Sequence, residues 1–119
     1  MSFKFKKIEN FEYPQPIIIE TDVCPDSRGR FSEVYKQSIF KNMGIDKNFV
    51  QFNTSLSDKN VIRGLHYQVN PFAQGKLVIP MQGRIIDVFV DIRKSSKSWL
   101  RYDMVELNAK LGKFIYVTR

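Results

Sequence analysis

Lys76-Leu77-Val78-Ile79-Pro80-Met81-Gln82-Gly83-Arg84-Ile85-Ile86-Asp87-Val88-Phe89-Val90-Asp91-Ile92 contains two runs, Lys76 to Met81 and Arg84 to Ile92, separated by Gln82-Gly83. Residues two apart on a strand share a face, so Asp87, Phe89 and Asp91 fall on one side and Ile86, Val88, Val90 and Ile92 on the other. The division predicts a strand packed on one face, with the other turned to a lumen or to solvent.

Similar short runs extend in both directions. Phe3 to Ile8 alternates apolar and basic residues, Pro16 to Val23 carries Ile17-Ile18-Ile19, and Arg30 to Tyr35 alternates again. Phe49 to Ser55, Val61 to Gln68, Lys76 to Met81, Arg84 to Ile92, Ser98 to Leu107 and Lys113 to Thr118 complete the β-rich set. Pro25-Asp26-Ser27-Arg28-Gly29 reads as a hairpin tip, because proline presets φ and glycine tolerates positive φ. One short helix is expected over Gln37 to Met43, with Ser38 as its cap and Gly44 as its terminator. Many short strands between turn formers predict an all-β sandwich or barrel rather than alternating α/β, with residues 1–119 forming a single domain. A core this small gains from a partner subunit or from more of the fold.

The formal charge is +7 and the pI about 9.6. Such a balance suits nucleic acid, an anionic membrane surface or a small phosphorylated ligand. The lysines are scattered rather than clustered, so neither a nucleic-acid arm nor a polybasic membrane tail is expected. The chain contains no long apolar stretch and opens without the pattern of a secretory leader, which leads us to expect a soluble cytoplasmic protein. Cys24 is the sole cysteine; it excludes an intrachain disulfide and is expected to be a buried or half-buried inert thiol.

The densest polar chemistry lies in Val50-Gln51-Phe52-Asn53-Thr54-Ser55 and Arg63-Gly64-Leu65-His66-Tyr67-Gln68. On regular strands Gln51 shares a face with Asn53, whereas Arg63 and His66 differ in parity and reach one cavity only if the chain bends near Gly64. His66 is the sole histidine, a residue type whose unperturbed chemistry suits proton abstraction at neutral pH, although a lone histidine is more often a surface or hydrogen-bonded structural group. With one histidine and one distant cysteine, a His-rich metal site is not expected. Lys76 opens an apolar strand where a cation would stabilise an oxyanion, and Arg28 and Arg63 suit forked bonds to phosphate. Solvated surface cations are the ordinary alternative for all three.

Taken in order, these segments resemble the dTDP-4-dehydrorhamnose 3,5-epimerase family. Asp26-Ser27-Arg28-Gly29-Arg30-Phe31-Ser32-Glu33 is similar to its D-x-R-G-x-F-x-E motif, and Val50-Gln51-Phe52-Asn53 to its V-Q-D-N. Arg63-Gly64-Leu65-His66-Tyr67-Gln68, Ala73-Gln74-Gly75-Lys76-Leu77-Val78 and Asp87-Val88-Phe89-Val90-Asp91-Ile92-Arg93 continue the match. The resemblance implies a cupin-like jelly roll and a cofactor-free, homodimeric epimerase acting on a dTDP-4-keto-6-deoxyhexose in deoxysugar synthesis. It implies His66 as the base at C3 and C5, Lys76 as the cation at the enolate, Arg28 and Glu33 as nucleotide contacts, and Gln51, Asn53 and Arg63 as substrate contacts.

The chain departs from the family pattern at Phe52, which stands where the family carries aspartate. The family's G-F-A-H-G-F motif is expected just after Arg119, with the reprotonating tyrosine and the aspartate paired to the base later still. Tyr67, Tyr102 and Tyr116 lie outside that motif. The sequence is therefore read as the N-terminal and central part of the fold, incomplete at its C-terminus. The alternatives are a truncated sugar-nucleotide-binding protein with little or no epimerase activity, and a structural β-sandwich module whose polar residues do not converge.

Overall fold

In the computed structural model, which describes residues 2–119, the elements follow in the order β1 (Phe3–Lys7), β2 (Ile17–Thr21), β3 (Cys24–Asp26), β4 (Gly29–Phe31), α1 (Gln37–Asn42), β5 (Lys76–Val78), β6 (Arg84–Val90), β7 (Tyr102–Asn108) and β8 (Lys113–Val117). The protein is all-β apart from α1. Contacts divide it into two compact units, one made of the chain up to Val34 with Tyr67–Arg119 and the other of Tyr35–His66.

The first unit holds a six-stranded antiparallel sheet in the order β1-β2-β8-β7-β6, with β5 also on β8. Ile115 pairs with Ile18 and Val78, and Tyr116 with Ile17 and Leu77, so β8 is laddered on both edges. Cross-strand partners share a face, so Ile18, Val78 and Ile115 stand on one side and Ile17, Leu77 and Tyr116 on the other. The first side carries the apolar cluster of Phe11, Phe89, Val105, Leu107 and Ile115, flanked by Ile8, Ile18, Val78 and Val117. Burying Leu107 and Ile115 is worth about 2 kcal/mol each. We call this side the inner face.

On β6 the sides are reversed from the simple apolar reading. Phe89 and Asp91 are buried and Asp87 half-buried, whereas Ile86 is 59% exposed. The polar side packs because Asp91 is fully bonded. Arg93 donates from Nε to Oδ1 and from Nη2 to Oδ2, both at 2.9 Å, and the hydroxyls of Ser96 and Ser98 donate to Oδ2 at 2.7 and 2.6 Å. Arg93 Nη2 also donates to the Glu12 carbonyl, and Ser98 Oγ accepts from the Glu12 amide, which ties the N-terminal segment to the loop after β6.

Other departures are local. Residues 98–100 form a turn, so β7 starts at Tyr102, and β4 ends at Phe31. Cys24 is exposed, because the β3–β4 hairpin has no buried residue. In the second unit α1 starts from Lys36 without a side-chain cap; Ser38 lies inside it, and Gly44 closes it by donating to the Lys41 carbonyl. Tyr35 packs edge-on against Phe40 and Phe49. Phe49 to Ser55 and Val61 to Gln68 form no strand, since neither finds a ladder partner among the described residues.

The bonds to Asp91 hold its carboxyl well below the aspartate value of 3.8, with the Arg93 guanidinium the largest cause and the serine hydroxyls adding to it. The folded form thus binds this proton less tightly than the unfolded form, so the stabilisation is present above the unfolded value and fades as pH falls below it. Asp91→Ala should lower the unfolding free energy by about 3 kcal/mol at neutral pH. In urea melts the gap from the wild type should narrow between about pH 5 and pH 2, and a gap independent of pH would contradict this assignment.

Candidate active site

Lys76 is the first residue of β5 and pairs with Val117. It alternates with Leu77 and therefore shares the inner face with Val78, beside the apolar cluster, while its ammonium end is exposed. Asp87 pairs with Val105, a member of that apolar cluster. Burial pushes its carboxyl above the ordinary aspartate value. The sequence alone gives Asp87 no role, because its alternation with Phe89 lies on a side that only the partner strand reveals as buried.

His66 and Arg63 belong to the second unit and are exposed. Gly64 between them has φ +96°, in the left-handed region that favours glycine, so the chain turns between the two residues. The bend folds the imidazole back, so that a Cβ on Gly64 would stand 3.0 Å from His66 Nδ1. The Arg63 guanidinium donates to Ser57 Oγ at 2.9 Å, which ties it to the preceding loop. Gln51 and Asn53 are exposed in the same unit, and Phe52 between them is 83% exposed.

Arg28 and Glu33 return to the first unit. Arg28 sits at the β3–β4 turn, where its Nη2 donates to Asp26 Oδ2 at 2.8 Å and its own amide donates to Asp26 Oδ1. Both side chains are largely exposed, so the pair shapes the turn more than it stabilises the fold. Glu33 is half-buried, and its carbonyl accepts the Thr21 hydroxyl at 2.6 Å. A cleft between Phe11, Pro14, Phe89, Arg93 and Thr118 includes none of the candidate residues. Among the described residues no helix is long and apolar enough to cross a membrane.

The family model described as dTDP-4-dehydrorhamnose 3,5-epimerase matches residues 10–119. A protein of that name from Shigella flexneri is 44% identical over 107 residues, covering 89% of this chain and 59% of the relative. The chain thus spans under two thirds of that relative's length. The crystal structure of an epimerase of the same name from Sulfolobus tokodaii superposes with a TM-score of 0.87 at 42% identity, covering 98% of this chain and 64% of that one. An epimerase from Legionella pneumophila, solved in complex with dTDP-4-keto-L-rhamnose, gives a TM-score of 0.87 at 33% identity, with coverages of 99% and 61%. These likenesses place the fold in the cupin-like jelly-roll class.

Gly64→Ala should be strained by about 1 kcal/mol through the left-handed backbone alone. Its methyl group should also displace the His66 ring, which a shift of the imidazole resonances in a ¹H–¹⁵N spectrum would report. Unmoved His66 resonances in a folded Gly64→Ala protein would contradict the contact.

Proposed function

The chain belongs to the dTDP-4-dehydrorhamnose 3,5-epimerase family, and from that premise we propose that its residues supply the base and the oxyanion-stabilising cation for inversion at C3 and C5 of dTDP-4-dehydro-6-deoxy-glucose, a step in dTDP-rhamnose and deoxysugar synthesis. Both carbons flank the C4 carbonyl, which acidifies their hydrogens. Neutral His66 takes the proton from C3, the C–H electron pair becomes the C3–C4 double bond, and the carbonyl oxygen becomes an enolate. The Lys76 ammonium donates to that oxygen as its charge develops. Collapse of the enolate, with solvent water delivering a proton to the opposite face, gives the inverted centre; His66 returns its proton to the resulting hydroxide, and the same sequence follows at C5.

Arg28 and Glu33 act on the nucleotide, while Gln51, Asn53 and Arg63 hold the sugar and its phosphates. The observation that supports the reading most is the register of Lys76, which turns a cation to the inner face at the margin of an apolar cluster. An oxyanion beside a poorly solvated wall gains more from a fixed cation than it would in water. Tyr116 is not assigned as the acid, because its register turns it to the opposite face.

We place the enzyme in the cytoplasm as a homodimer. A single cysteine suits a reducing compartment. Two features support a second copy: β1 is an outer strand paired only with β2 among the described residues, and the β6–β7 outer face leaves Ile86 and Met104 each 59% exposed. Sedimentation at micromolar concentration should give the dimer mass, and a stable monomer would contradict it.

The chemical test uses the 4-keto sugar nucleotide in deuterated water, followed by NMR. Deuterium should enter C3 and C5, and His66→Ala should slow that entry by about 10² to 10⁴-fold. Exchange at full rate in His66→Ala would sink the base assignment.

A further inference from the structure

Gly75 and Tyr116 meet in a way that the chemistry above does not use. Positive φ occurs at Gly29, Gly44, Gly64, Gly83 and Gly112, but not at Gly75, so the backbone there admits any side chain. What excludes one is space. A Cβ at Gly75 would lie 2.7 Å from Tyr116 Oη, 3.3 Å from Cζ and 3.4 Å from Cε2. The missing Cβ lets the phenol ring close against the main chain of the residue immediately before Lys76.

The ring approaches from a fixed direction. Tyr116 is paired with Leu77 on one edge and Ile17 on the other, and is only 5% exposed. Gly75 lies two residues before Leu77, in the diagonal position that a long aromatic side chain reaches across an antiparallel pair. Gly75, Leu77 and Tyr116 share the outer side, so the ring braces β5 from the side opposite to Lys76. Burial pushes the phenol above its ordinary value of 10.0, which keeps it protonated at neutral pH.

We propose that Tyr116 is a positioning residue for Lys76: its ring, seated on Gly75, fixes the start of β5 and hence the direction in which Lys76 reaches the inner face. The proposal rests on Lys76 being the enolate-stabilising cation. Lys76 needs such a brace because it is the first residue of a three-residue strand and its flexible stem ends in solvent. Small displacements of a charge-stabilising group are costly, since a shift of about 1 Å can reduce a rate by about 10²-fold.

The test is a set of coupled substitutions read by the rate of deuterium entry, its KM and the melting temperature. Gly75→Ala forces its methyl group onto Tyr116 Oη and should lower kcat by about ten-fold, with KM changed by less than about two-fold. Adding Tyr116→Phe removes the oxygen at 2.7 Å, leaves the ring carbons, and should restore most of the lost kcat. Gly75→Ala should cost nothing further in a Lys76→Ala background, because its effect passes through Lys76. Losses that simply add in the Gly75→Ala/Lys76→Ala protein, or no rescue by Tyr116→Phe, would overturn the proposal. A Lys76→Ala protein that exchanges at full rate would instead sink the enolate assignment, and the positioning role with it. A slow Lys76→Ala beside a full-rate Gly75→Ala would sink the positioning role alone.

Discussion

The double pairing of β8 is the constraint on which the first unit depends. Ile115 and Tyr116 carry ladder partners on both edges, so their main-chain polar groups are satisfied inside the protein while Phe114, Ile115 and Tyr116 are all buried. β2 brings β1 with it on one edge; β5 and, at Asn108–Lys113, β7 attach to the same central strand. Across β2, β8 and β5, register then assigns each paired side chain to a face. Lys76 falls on the inner face and Tyr116 on the outer one because they occupy successive pair positions, and a slip of one residue would exchange them.

Charge is distributed in two ways. Asp91 and Arg93 are drawn into a bonded cluster that fixes the loop after β6 to the N-terminal segment, and they serve the fold. Arg28, Arg63 and Lys76 remain exposed on elements positioned by local bonds or by register. A net charge of +7 suits the anionic sugar nucleotide of the proposed function, whose diphosphate is its most highly charged part. Asp87 adds a carboxyl beside Val105 of the apolar cluster, where burial disfavours its charge.

Much of this was legible in the chain. Alternation and turn residues located β1, β2, β5, β6 and β8, because each finds its partner among the described residues. Alternation gave the two sides of β6, but which side is buried depends on Arg93, Ser96 and Ser98 satisfying Asp91, and no count of apolar residues contains that. Phe49 to Ser55 and Val61 to Gln68 have strand-like composition without a ladder, since β propensity measures fit to a neighbouring surface. For the candidate site, the ordered motifs identified the family, and the parity of Arg63 and His66 made a bend at Gly64 the condition for both to reach one cavity. Asp87 and the Gly75–Tyr116 contact were not legible, because both arise from cross-strand neighbours far away in sequence.

The central claim is that His66 and Lys76 act on one carbonyl-bearing sugar. The most direct measurement is a crystal structure of the protein with a dTDP-4-keto-6-deoxyhexose bound. The account predicts the C4 oxygen at about 3 Å from Lys76 Nζ, with the His66 imidazole facing the hydrogen on C3 or C5. A nucleotide sugar bound with its C4 carbonyl out of reach of Lys76, or with its ring turned away from His66, would contradict it.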